Sequence, residues 1–378
     1  MRPSFFGMIG PNVKIATSLY SLFTSNGILQ GVFLNDSTPV SHLIETERVH
    51  HHRQFGNDHI PWFPHPWFPH PGVANTAVLS VDDKDYALFE RDLPYELQIS
   101  YPTVVTVGKV KAPFHSLSAH TTYTEPFIHS MTYSILHRTV SFLTLTKTFL
   151  PHRIQTVKTT YVPLVHDFLR HGDTHVFTES PIELSLRHFP AYLAKKPTYI
   201  HVVPDRYTSP ESFFIFHYAQ LFENETAYTL YAPAYDELFF NRVDISGKYR
   251  RFILDKATCT IKVEKNPFLE AFNLDFPVKW GKYVLLRNLF RQKINGFILC
   301  DGLEVVRTYW VNVSVLGEPY IHEDTLYCFA SDVHVYLLEL DLVRGNQTLT
   351  LVELPGTLGF HSFMRFKYNK SSSKIGSS

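Results

Sequence analysis

Four stretches of this chain each set one histidine among apolar or small residues: Ser118-Ala-His120-Thr, Val162-Pro-Leu-Val-His166-Asp-Phe, Phe213-Phe-Ile-Phe-His217-Tyr-Ala and Leu358-Gly-Phe-His361-Ser-Phe. An imidazole buried without a partner is costly, and these four are spread over most of the chain. Only a closed tertiary fold can bring them together, so the sequence reads as one that builds a four-histidine metal centre. One such histidine alone is ordinarily a core residue satisfied by a neighbour. The weight therefore lies on the set, and context has to carry it, because the chain holds 21 histidines in all.

The rest of the chain says what kind of closed fold this is. Thirty-one Phe, 21 Tyr and 24 Pro in 378 residues favour an aromatic, β-rich architecture over helical bundles, and such residues also line pockets for long apolar ligands. Short β-like runs separated by turn residues begin at Ala74, for example Ala77 to Val81 before Asp82-Asp83. They are clearest in the C-terminal series Leu326–Ala330, Val333–Leu340, Leu349–Leu354 and Phe360–Phe366. Strands spaced by about ten residues indicate a meander, hence a sandwich, barrel or propeller, and the pattern alone does not separate them. No linker divides the chain, so residues 1–366 read as a single domain. Its first 58 residues are poorly defined, although Asn26 to Ser37 reads as a strand ending in a polar turn. The polar tail 367–378 reads as disordered.

Several functions are excluded. Thirty-five basic and 35 acidic residues cancel without a basic block, which argues against nucleic acid as a partner. There is no phosphate-cradling glycine loop, no H-E-x-x-H and no G-x-S-x-G. Cys259, Cys300 and Cys328 are odd in number and widely spaced, which fits a reducing, cytoplasmic setting; the five glycosylation-type sequons then read as chance. No run is long enough for a transmembrane helix. The tandem Pro61-Trp-Phe-Pro-His65 and Pro66-Trp-Phe-Pro-His70 is a proline-rich loop. Its Trp62, Phe63, Trp67 and Phe68 either fold onto the core or make a peripheral membrane contact. The triplet His50-His51-His52 reads as an exposed patch, because three consecutive side chains cannot converge on one ion.

Imidazole suits Zn, Cu, Fe and Ni, so ligand type does not choose the metal. Four neutral ligands leave the ion's charge uncompensated, so carboxylates are required behind them to accept the other ring N–H. Glu90, Asp275 and Glu318 sit among apolar or turn residues and could serve in this way.

Taken in order, these strings resemble one known family, the carotenoid cleavage oxygenases, which include a retinoid isomerase. Ala74-Asn-Thr-Ala77 with Leu88-Phe-Glu90-Arg-Asp-Leu-Pro-Tyr-Glu-Leu97 resembles the family's first such segment. Ser118-Ala-His120, Val162 to Phe168, Phe214 to Ala219 with Glu223, Gly317-Glu318-Pro-Tyr-Ile321 and Gly359-Phe-His361 match the following ones in the same order. The resemblance implies an all-β, seven-bladed β-propeller with Fe(II) on its axis, held by His120, His166, His217 and His361. It further implies that Glu90 orients His166, Asp275 orients His217 and Glu318 orients His361. The activity implied is cleavage by O2 of a conjugated double bond in an apolar polyene, such as a carotenoid, an apocarotenoid or a stilbene, to give two carbonyl products. The alternatives are an iron-dependent retinoid isomerase and a catalytically degenerate propeller that binds a polyene or a protein partner. Two departures from the family set further expectations. Asp275 stands where the family has Glu, so its bond to His217 should need a backbone shift or a water. The N-terminal region is short, so the blade that closes the propeller should be shortened.

Overall fold

The computed structural model describes residues 3–55, 72–184, 191–289 and 295–366. The Trp62, Phe63, Trp67 and Phe68 loop and the polar tail lie outside the described residues. Almost every element is a short antiparallel strand, and the sequence supplies the turns that join them. Asp82 and Gly281 take positive φ, 54° and 59°, at the first position of the two-residue loops that join Ala77–Val81 to Lys84–Leu88 and Leu274–Trp280 to Tyr283–Asn288. That sign of φ is what a hairpin of this length needs to match the twist of its strands. Three further hairpins turn on cis X-Pro pairs at Pro102, Pro126 and Pro204.

The strands assemble into antiparallel units that follow chain order. Sheet 1 contains Thr38–Leu43, Gly27–Phe33 and Pro3–Pro11, and its last position is taken by the C-terminal strand His361–Phe366. Sheet 2 runs from Ala77–Val81 to Thr103–Lys109, and sheet 3 from Thr122–Thr124 to Pro151–Lys158. Next comes a nine-stranded sheet that divides at one parallel pair, Thr208 with Thr260. Its first part, sheet 4, runs from Leu169–His171 to Asp205–Ser209, and its second, sheet 5, from Phe214–Ile215 to Thr260–Lys265. Sheet 6 runs from Leu274–Trp280 to Glu304–Val311, and sheet 7 from Ser314–Val315 to Gln347–Val352.

The core shows how these sheets are arranged. Apolar clusters join sheet 1 to 2 (around Phe5 and Tyr95), 2 to 3 (Leu88 and Leu143), 3 to 4 (Phe142 and Phe177) and 4 to 5 (Ile200 and Phe252). The series continues from 5 to 6 (Tyr249 and Ile298), from 6 to 7 (Phe297 and Leu338) and from 7 back to 1 (Phe329 and Phe6). Every sheet therefore buries both faces against its neighbours, and the series closes on itself as a β-propeller. Burying each of these large side chains is worth about 1.5–3 kcal/mol, and that burial holds the ring together.

Sheet 1 makes the closure. Ile9 pairs with His361 and Met8 with Ser362, and Phe360 N donates to Ile9 O at 2.9 Å. Buried Gln30 adds a polar staple: its Nε2 donates to Thr357 O at 3.1 Å and its Oε1 accepts from Gly356 N at 2.9 Å. The blade expected to be shortened thus carries four strands, because Pro3–Pro11 and Gly27–Phe33 are both present in the region that was hardest to read. Their residues are almost all buried, on both faces, so the polar alternation that announces a half-exposed strand is missing.

A short helix, Leu19–Thr24, starts on a capping box formed by Ser18 and Ser21. It packs Leu19, Leu22 and Phe23 over a further cluster containing Ile182, Leu193, Phe214, Phe216 and Tyr235. The three cysteines are unpaired, and no described helix is long and apolar enough to cross a membrane.

Candidate metal centre

Each of the four histidines lies at or beside an end of an edge strand of its sheet. His120 is set by a local network in which its N–H donates to Ser118 Oγ at 3.0 Å and Thr121 Oγ1 donates to Ser118 O at 2.6 Å. It leads into sheet 3, His166 leads into sheet 4, and His217 follows Phe214–Ile215 of sheet 5. His361 is the first residue of the closing strand.

The four imidazoles meet. One ring nitrogen of each lies within 4.8 Å of the corresponding atom on the others, and it is the group of metal-competent side chains found among the described residues. The rings stand edge to face, with centroids 4.6 Å apart for His120 and His166, 4.7 Å for His120 and His361 and 5.2 Å for His217 and His361. Their side chains are only 7–14% exposed.

Behind them stand the three expected carboxylates. Glu90 Oε1 accepts from His166 Nδ1, Asp275 Oδ1 from His217 Nδ1 at 2.8 Å, and Glu318 Oε2 from His361 Nδ1 at 2.9 Å. Asp275 reaches its histidine directly, so no bridging water is needed. The strand around it is irregular: register is lost between Asp275 and Val278, and Phe276 takes φ 50°. Asp275 is itself held by Phe276 N on Oδ1 at 2.8 Å and by Tyr235 OH on Oδ2 at 2.5 Å.

An imidazole that donates Nδ1–H keeps its lone pair on Nε2. Three such lone pairs point at one another, and His120 Nε2 sits 3.0 Å from His166 Nε2. His217 Nε2 is buried with no hydrogen-bond partner among the described residues. Leaving such an acceptor unmatched costs about 1–3 kcal/mol, and convergent lone pairs repel. A cation among them reverses both penalties, so the residues fit a metal ion. Burial, followed by the neighbouring imidazoles, pushes His120, His166 and His217 well below the ordinary histidine range and keeps them in the neutral, ligating form. At His361 burial acts in the same direction, but the Glu318 carboxylate with Asp167 and Asp275 outweighs it and raises the pKa.

Three more residues belong to this neighbourhood and carried no sequence assignment. Asp167 Oδ1 lies 3.6 Å from His120 Nδ1, while its carboxylate accepts from Phe168 N at 2.7 Å and Tyr218 N at 3.2 Å. Burial raises its pKa to about 7. Tyr235 and Arg287 are the others. Arg287 interrupts the apolar run Tyr283-Val-Leu-Leu, the same kind of signal that marked the histidines. Aromatic rings stand beside the histidines: Phe216 lies 5.3 Å from His166, Phe276 4.9 Å from His217, and Phe23 5.6 Å from Phe360. The His50-His51-His52 triplet lies elsewhere, exposed on the helix Glu47–Phe55.

Comparison with known proteins gives two kinds of likeness. The family profile described as "Retinal pigment epithelial membrane protein" matches residues 6–288. Among solved structures, a Glu-to-Asp variant of the Synechocystis apocarotenoid oxygenase superposes with a TM-score of 0.76 at 17% identity, covering 97% of this chain and 93% of that one. The cobalt-substituted form of that protein gives a TM-score of 0.73 at 17% identity, with 97% and 93% covered. A chimera of the apocarotenoid oxygenase and RPE65 gives 0.72 at 17% identity, again covering 97% and 93%. No curated protein sequence matches the chain significantly.

Proposed function

This chain belongs to the carotenoid cleavage oxygenase family, and from that premise we propose that it is a non-haem iron oxygenase. The reaction would cleave a conjugated C=C bond of an apolar polyene or stilbene-type substrate with O2, one oxygen atom passing to each of two carbonyl products. The observation that carries this reading is the convergence of four imidazoles, three of them backed by a carboxylate. His120, His166, His217 and His361 would hold the ion. Fe(II), the ion we infer, would supply the activation of dioxygen, which no side chain provides.

The protein's own residues supply the rest. Glu90, Asp275 and Glu318 fix the tautomer of their histidines, so that each presents a lone pair inward, and they make those ligands more basic. Phe23, Phe216, Phe276 and Phe360 form an apolar wall that favours a polyene over water. We read the antiparallel units as the seven expected blades of one domain, supported by the apolar cluster that each adjoining pair shares.

The test is a single turnover of the Fe(II)-loaded protein with a panel of polyenes and stilbenes under isotope-labelled dioxygen. Labelled aldehydes or ketones are expected. Intact substrate, or a geometric isomer without label, would overturn the proposal in favour of a binder or an isomerase.

A further inference from the structure

Arg287 is the charge beside the centre that the metal site does not use. It lies on Tyr283–Asn288 directly across from Asp275, so both side chains leave the same face of sheet 6. Its Cζ stands 5.6 Å from the centroid of Phe276, and that ring lies 4.9 Å from His217 and 5.6 Å from His361. Its Nη2 donates to Val315 O of sheet 7 at 2.5 Å, while its buried Nε has no acceptor among the described residues. It forms no ion pair with any described residue.

Arg250, which is buried, shows what full pairing looks like here. Arg250 gives Nη1 and Nη2 to Asp236 at 2.6 and 2.8 Å, and Nε and Nη2 to Glu270 at 3.1 Å each. Burial lowers Arg287 only to about 10, so it stays cationic at neutral pH. Asp275 and Glu318 act on this charge without pairing with it, and a guanidinium matches a carboxylate in two parallel hydrogen bonds. In a largely apolar cavity, a few polar groups of this sort set the orientation and identity of the ligand.

We propose that Arg287 receives the carboxylate of the substrate: the chain accepted beside the four histidines is a conjugated acid, anchored on the guanidinium with Phe276 packed against its polyene. One phenyl ring separates the guanidinium from His217 and His361, so the reacting bond lies toward the acid end of the chain. This inference rests on the reading of the centre as a polyene site.

The experiment measures binding of retinoic acid and of its methyl ester to the metal-loaded full chain under argon, by quenching of tryptophan fluorescence. Wild type, Arg287→Leu and Arg287→Lys are compared. Wild type should bind the acid at least about tenfold more tightly than the ester, the worth of a charge-assisted bond. Arg287→Leu should bind the two alike, and Arg287→Lys should regain part of the preference. Equal binding by wild type overturns the proposal, whether or not Arg287→Leu folds. A preference that survives in Arg287→Leu overturns it as well. So does an Arg287→Leu protein of lower Tm whose selectivity is unchanged, since Arg287 is then a clamp between sheets 6 and 7. If the ester binds without preference for the acid, only this inference falls. If neither compound binds, the polyene reading of the centre falls with it.

Discussion

At the scale of single residues, the departure at Asp275 proves to be self-consistent. Its carboxylate is 3% exposed, reaches His217 directly and is saturated by Phe276 N and Tyr235 OH. Asp275→Ala should weaken metal binding about 10- to 100-fold, read by Co(II) titration against a competing chelator. Asp275→Glu should gain no metal affinity and lose about 1–3 kcal/mol of stability, because the added methylene has no room. A Glu variant that binds metal more tightly would contradict this account. His175 gives an independent pH signature away from the centre. Its ring stacks on Phe142 at 4.4 Å, and burial, with Arg170 and His129 after it, lowers its pKa from 6.5 to about 4. The unfolded chain therefore binds a proton between pH 6.5 and 4 that the folded chain does not, so this stabilisation is complete above pH 6.5 and fades as pH falls through that window. The loss should be on the order of 1–2 kcal/mol, and Tm of His175→Gln should fall less steeply over the same interval. The four histidines and their three carboxylates were legible because each is a polar group in an apolar string. Tyr235 and Asp167 were not: a tyrosine or an aspartate beside a turn looks like any other, and only the fold shows that they face the histidines.

At the scale of elements, legibility followed exposure. The C-terminal hairpins contain strands such as Val335–Asp341, where partly exposed Tyr336, Glu339 and Asp341 interrupt the buried residues and leave a broken pattern in the sequence. Pro3–Pro11 lies between the clusters shared with sheets 2 and 7, so its pattern is continuous and its glycines look like breakers. Those glycines are demanded by close approach. A Cβ on Gly10 would stand 2.6 Å from Gly359 Cα and closer still to Leu358 O, in the segment that delivers His361. Gly10→Ala should therefore cost about 1–3 kcal/mol by forcing the closing strand outward, and it should weaken metal binding although it touches no ligand. Differential scanning calorimetry with metal titration checks both, and normal metal affinity in that variant would show that closure and site are uncoupled.

At the scale of the whole molecule, sheets 1 to 7 all contribute to the centre. Sheets 3, 4, 5 and 1 carry His120, His166, His217 and His361, while Glu90, Asp275 and Glu318 come from or beside sheets 2, 6 and 7. An ion bound there ties the entire ring, and it should raise Tm by an amount that grows with free metal, about 2.7 kcal/mol at a hundredfold excess over Kd. A chelator should reverse the rise, and a Tm indifferent to both would argue that the ion is held by a local pocket. That distribution also made the ring hard to read in advance, because the partners of each histidine lie in different sheets and only the hydrophobic clusters between sheets fix their order. The strand that seals the ring begins with His361. During synthesis this protein therefore receives its fourth ligand and its latch in the same few residues. A nascent chain halted before them would lack the fourth imidazole, and loading of the ion would serve as a receipt that the chain had reached His361.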